Sequence, residues 1–156
     1  QTLDVQANAS WTDAVLRQDI PQPAGASTVI GLAGDRIPGV AKFQSNLSVQ
    51  QDFEIGHGLS AYVGGSWVYI GSRMGEFSDI VPPDPSAFGD RLELPSQSFV
   101  DLRAGVYNND WSLNLYVRNV GDSRAVAYAS TRGGTTPPTA IFIQPRTIGF
   151  TLARSF

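Results

Sequence analysis

The chain has no cysteine and one histidine, His57. Disulfide frameworks, thiolate nucleophiles and Cys-ligated zinc are excluded. A lone histidine also leaves no multi-histidine metal site. Lysine is almost missing: Lys42 is the single example, and every other cation is arginine. Charged residues make up 16% of the chain, with a net charge of -3 and a pI near 4.9, so no basic footprint for nucleic acid exists. No stretch approaches the roughly eighteen consecutive apolar residues that a membrane-spanning helix needs. A transmembrane β-barrel survives that exclusion. Its strands alternate lipid-facing and lumen-facing residues, so its mean hydropathy stays near zero, as the value of -0.10 does here.

What is present points to strands and turns. Sixteen glycines and ten prolines argue against long helices, and 156 residues suit one domain. Leu3, Val5, Ala7, Ala9 and Trp11 alternate with Asp4, Gln6, Asn8 and Ser10, which predicts a strand over about 3–17. The same period of two predicts strands over about 41–55, 59–73, 98–107, 111–119 and 141–156. In the last, Ile148, Phe150, Leu152 and Phe156 share one parity and Thr147, Gly149, Thr151, Ala153 and Ser155 the other. The expected fold is all-β, an antiparallel meander of about six strands. No signal peptide opens the sequence, and Gln1 leads straight into a strand, as though the sequence started in the middle of something.

Connections alternate between long loops of roughly twenty residues and short turns of roughly three. Gly56-His57-Gly58 and Asn108-Asn109-Asp110 are the short ones. Antiparallel neighbours then gather all short turns at one end of the sheet and all long loops at the other. That asymmetry is the pattern of outer-membrane barrels, with short periplasmic turns and long extracellular loops. A β-sandwich gives the same alternation with its apolar face turned inward. Three features favour the barrel. Phe53, Trp111 and Phe156 stand on the apolar face near the short-turn end, where an interfacial aromatic girdle belongs. The apolar face carries one charge, Arg154, placed to snorkel to headgroups. The opposite face holds Asp4, Lys42, Asp52, Asp101, Arg103 and Arg118, which suits a wet lumen.

The segment Val100–Val106, the Asn-Asn-Asp turn, the run Trp111–Asp122 and the closing Pro145–Phe156 together resemble the C-terminal end of TonB-dependent outer-membrane receptors. Upstream, Gly34–Val40 is similar to the segment that precedes a barrel strand in that family. The departures are Ala41 in place of a second proline, Val120 in place of leucine, and Gly121 where an aromatic residue or threonine is common. The resemblance implies a 22-stranded barrel with an N-terminal plug, of which this chain would be the C-terminal segment without plug or TonB-binding segment. It implies active uptake of a scarce nutrient, such as a ferric siderophore, cobalamin or a glycan. It implies residence in the outer membrane of a Gram-negative bacterium. The implied partners are outer-membrane lipid, the rest of the barrel and plug, the inner-membrane TonB complex, and the barrel-assembly machinery reading Phe156. Neither an enzymatic reaction nor a cofactor is implied. The other reading in view is a small self-contained outer-membrane or secreted β-protein acting as an adhesin or binding module. A soluble β-sandwich hydrolase is a third, and it wants a nucleophile–base set.

The candidate ligand contacts sit in the long loops. Arg36, Arg73, Arg91, Arg124, Tyr128 and Arg132 are the groups an anionic iron chelate would meet, since arginine forks pair with carboxylate and catecholate oxygens. Each also fits a solvated loop tip. Asp101, Arg103 and Arg118 are expected to face the lumen, as an ion-pair ladder with each other or against the plug. Glu76, Asp79, Asp84, Asp90 and Glu93 crowd one loop without the EF-hand register, and loop solvation accounts for them. His57 reads as a solvated turn residue. Arg132-Gly133-Gly134 is too short for a phosphate loop and no helix follows it.

Overall fold

A computed structural model describes residues 1–21, 29–77, 92–130 and 139–155. Among the described residues twelve strands follow in chain order: β1 (Thr2–Trp11), β2 (Ile20–Pro21), β3 (Val29–Gly31), β4 (Phe43–Gly56), β5 (Leu59–Ile70), β6 (Arg73–Met74), β7 (Glu93–Leu94), β8 (Gln97–Tyr107), β9 (Trp111–Arg118), β10 (Val126–Ser130), β11 (Thr139–Phe142) and β12 (Thr147–Arg154). Six of them form one antiparallel sheet in the order β1-β4-β5-β8-β9-β12. The other six form two-stranded ladders, β2 with β3, β6 with β7 and β10 with β11. All three ladders lie within the long connections.

Register carries the alternation across the whole sheet. Val5 pairs with Val49, Val49 with Gly65, Gly65 with Leu102, Leu102 with Val117, and Val117 with Ile148. The adjoining row runs Asp4, Gln50, Gly64, Arg103, Tyr116, Gly149. Since paired residues point the same way and successive ones point oppositely, one face of the sheet is mainly apolar, broken by Ser45, Gln51, Ser98 and Arg154, and the other mainly polar. A slip of one residue anywhere would mix them.

The two tight turns are built differently. His57 and Gly58 both take positive φ, 56° and 73°, the left-handed pair that a two-residue hairpin loop requires between Gly56 and Leu59. At the other turn, the Asn108 side-chain oxygen accepts the N–H groups of Asp110 (2.9 Å) and Trp111 (2.7 Å), folding the chain back by an Asx turn.

Several strand limits differ from the pattern. The first strand stops at Trp11, not near 17, because the chain leaves the sheet there. Val15 bridges Arg36, and Leu16 donates its N–H to Asp35. The third stops at Ile70. The terminal strand starts at Thr147, not 141, since Thr139–Phe142 pairs with β10 instead. Phe142 shares the parity of Ile148 and Phe150, but Pro145 between them has no N–H to add to a ladder.

The small core lies at the long-loop end. Among the described residues, the buried apolar ones are Ala41, Leu94 and Ala129, and no large side chain is fully enclosed. The apolar face of the sheet is left open: Leu115, Phe150 and Leu152 are 51%, 70% and 59% exposed. Among the described residues no second layer covers it, so the sandwich reading fails.

Candidate functional site

The apolar face carries two aromatic rows. At the long-loop end Trp11 meets Phe43 (ring centroids 6.3 Å apart), Phe43 meets Tyr69 (6.0 Å), and Tyr69 meets Trp67 (6.2 Å). Trp67 donates its indole N–H to Ser98 Oγ at 2.7 Å. At the short-turn end stand Phe53 and Trp111, both exposed on that face. Arg154, paired with Trp111 across β9 and β12, lays its guanidinium carbon 4.9 Å from the Trp111 ring centroid. Ten residue steps separate Phe43 from Phe53 in β4. At a rise of about 3.3 Å and a tilt of about 40°, they span about 25 Å along a bilayer normal, the height of an outer-membrane apolar band.

The polar face is kept flat by rings lying over glycines. A Cβ on Gly105 would stand 2.5 Å from Tyr62 Cε1 and 2.8 Å from Asn114 Oδ1. One on Gly149 would stand 2.5 Å from Tyr116 Cζ. Tyr62 donates its hydroxyl to Asn114 Oδ1 at 2.8 Å. Between these rings lies a shallow hollow of about 300 Å³, bordered by Tyr62, Asp101, Arg103, Asn114, Tyr116 and Arg118. The expected ladder of ion pairs is not formed there. Asp101 accepts the Asn119 backbone N–H at 2.7 Å, Arg118 lies over the Tyr116 ring at 5.1 Å, and Arg103 makes no ion pair with a described residue.

Above the sheet the long connections are stitched to one another. Arg73, 6% exposed, donates from Nη2 to the carbonyls of Val126 (3.1 Å) and Ala127 (2.7 Å). Burial pushes its pKa down from the ordinary arginine value. Arg36 donates to Ser72 O at 3.3 Å, Gly39 donates its N–H to Met74 O, and the Tyr128 hydroxyl bonds Glu76 Oε1. Asn119, 4% exposed with φ of 50°, donates from Nδ2 to Ser123 O and Gln144 O and accepts the Ser123 N–H. Asp122, also at φ 50°, accepts the Arg146 N–H and the Arg124 guanidinium, each at 2.9 Å. Those two contacts, the backbone one first, hold its carboxyl below the usual aspartate range.

A family model described as "TonB dependent receptor-like, beta-barrel" matches residues 2–120. The chain belongs to that family. The crystal structure of the siderophore receptor PiuA from Acinetobacter baumannii matches with a TM-score of 0.68 at 19% sequence identity. The match covers 96% of this chain and 19% of that one, so the chain spans about a fifth of the receptor's length. At that identity the likeness speaks for the fold: an antiparallel six-stranded sheet like part of a receptor barrel. No curated protein matches.

The loop arginines differ in the partners they bind. Arg36 and Arg73 bind carbonyls of neighbouring connections, Arg124 pairs with Asp122, and Tyr128 meets Glu76. Arg36, Arg73 and Tyr128 are thus tied to the 72–76 and 126–128 segments, and Arg124 is held by Asp122. Arg91, Arg132 and Phe156 lie outside the described residues, as do Asp79, Asp84, Asp90 and Gly133-Gly134. His57 sits exposed in its turn. Among the described residues no group of acidic and histidine side chains could hold a metal ion.

Two features escaped the sequence. The upper aromatic row could have been found by counting ten steps back along β4 from Phe53 to Phe43. The hub at Asn119 had a weaker signal, an Asn and an Asp flanking Val-Gly straight after a strand, both residue types being tolerant of left-handed backbone.

Proposed function

We propose that this polypeptide is barrel wall and extracellular loop of a TonB-dependent outer-membrane receptor that takes up a scarce nutrient. A ferric siderophore is the favoured cargo, in keeping with the siderophore receptor whose fold it shares. One observation carries the reading: a single sheet exposes an apolar face bounded by aromatic rows about 25 Å apart, while among the described residues β1 and β12 each pair with one neighbour. Unpaired strand edges are not tolerated in lipid, and six strands are too few to close a barrel. The wall is therefore completed by further strands, 22 in all on the resemblance, around a plug engaged by the inner-membrane TonB complex. Outer-membrane lipid covers the apolar face, and the barrel-assembly machinery reads the terminal strand through Phe156.

Cargo contacts fall on the long connections, at Arg124 and Tyr128, with Arg91 and Arg132 as further candidates. Arg36 and Arg73 hold those loops in place. The test is uptake of a radiolabelled ferric chelate by iron-starved cells with and without the gene. Uptake that needs both the gene and an energised inner membrane supports the reading. A product that fractionates as a soluble monomer with cooperative unfolding sinks it.

A further inference from the structure

We propose that the outer face of the sheet seats the phosphorylated head of an acylated sugar lipid of the outer leaflet, between Arg146 and Trp67. The inference rests on the barrel reading above, which turns this face to lipid and the long-loop end to the cell exterior. Thr147 opens β12 on the polar face, with Gly149 and Thr151. Gln144 meets it on that side, donating from Nε2 to Thr147 Oγ1 at 2.9 Å. Arg146 precedes Thr147 and therefore turns outward, in line with Ile148 and Phe150. Asp122 takes only the backbone N–H of Arg146, at 2.9 Å, and pairs with the Arg124 guanidinium instead. The Arg146 side chain is exposed and makes no ion pair with a described residue.

Height and register decide what that cation meets. Arg146 lies eight residues before Arg154, about 20 Å above it at a rise of about 3.3 Å and a tilt of about 40°. The apolar band is about 25 Å tall, so an extended arginine carries its charge to headgroup level. One step beyond the Thr147–Arg118 pair, the register sets Arg146 beside Asn119. Continued from the Leu102–Val117 pair, it sets Asn119 beside Val100, and Val100 pairs with Trp67. Three strand spacings, about 14 Å at about 4.8 Å each, thus separate the cation from an aromatic ring in one row. Trp67 is half-exposed, with its indole N–H fixed on Ser98 Oγ. Val100 lies open between them, and Ile148, 74% exposed, begins a track for acyl chains below Arg146. A small phospholipid head covers one end of that span. A sugar head bearing a phosphate reaches both, with its phosphate on the guanidinium fork and its ring against the indole.

The experiment is native mass spectrometry of the full-length polypeptide, purified in mild detergent and given an acylated glucosamine disaccharide bisphosphate as probe. Expected is one retained probe per polypeptide, with retention cut tenfold or more by Arg146→Gln and threefold or more by Trp67→Leu. Removing the phosphates from the probe should cut retention by the parent protein itself as far as Arg146→Gln does. Arg103→Gln, on the bore face, should leave retention as it was. Equal retention of the dephosphorylated probe or of phosphatidylglycerol overturns the seat. So does a loss in Arg103→Gln as large as in Arg146→Gln, or displacement of the probe by millimolar inorganic phosphate, which marks a site for free anions. Heat-modifiable migration of the same samples reports on the barrel separately. A barrel that forms without retaining the probe refutes the seat alone, and a sample with no barrel refutes both.

Discussion

The sidedness of the sheet makes a quantitative prediction at adjacent register positions. Leu115 pairs with Phe150 on the apolar face, and the next residue of β12, Thr151, pairs with Asn114 on the polar face. Leu115 lies four steps from Trp111, hence about 10 Å above the lower aromatic row at a rise of about 3.3 Å and a tilt of about 40°. In an apolar band about 25 Å tall that is close to the midplane, where an arginine on the lipid face costs about 2–4 kcal/mol. Leu115→Arg should therefore weaken the folded barrel by roughly thirty-fold to nearly a thousand-fold. Thr151→Arg, one row away but facing the bore, should stay within about 0.5 kcal/mol of the parent, as surface changes do. The assay is guanidinium unfolding of the full-length polypeptide in phosphatidylcholine vesicles, reading the midpoint at constant slope. Equal losses for the two variants, or a larger loss for Thr151→Arg, would refute the assignment of faces.

Other consequences are as specific. Gly149→Ala drives a methyl into Tyr116, which should cost about 1–3 kcal/mol by overpacking and be partly relieved by a second change, Tyr116→Ser, in the same unfolding assay. Asn119→Ala removes three side-chain hydrogen bonds and strands the Ser123 and Gln144 carbonyls; a loss of about 2–4 kcal/mol should show as faster proteolysis between 119 and 146. The Asp122 carboxyl has its pKa depressed by the Arg146 N–H and by Arg124. Its contribution is therefore full above the unfolded value of about 3.9 and is lost as pH falls through the lower folded value. Amide exchange at Arg146 should accelerate in that acid window only, and Asp122→Asn should abolish the acceleration.

Much of this was legible because the physics of a barrel strand is short-ranged. Leu3 to Trp11 and Phe43 to Ile55 announce their faces two residues at a time, and the observed register joins those faces without exception from Val5 to Ile148. Strand ends were harder. Ile141 and Phe142 carry the right residue types for the terminal strand, yet they pair with Tyr128 and Val126 in a separate hairpin. Only the tertiary partner decides between the two. The loop arginines were misleading for a related reason. Composition marks Arg73 as a free cation reaching for an anion, whereas its Nη2 contacts are two carbonyls more than fifty residues away. Sequence also hid Asn119, whose buried position depends on carbonyls that the chain returns only at Ser123 and Gln144.

The strand order has a consequence for how such a wall can be exchanged. β1 runs away from the rim of tight turns and β12 runs back towards it, because six antiparallel neighbours end on the opposite sense from which they began. Whatever fills the remaining circumference must contribute an even number of strands, and both seams open at the same rim, at Thr2 and Arg154. The segment is thus a cassette. Swapped into another cylinder of matching tilt, it would carry its loop platform with it and need only two cuts on one side of the membrane.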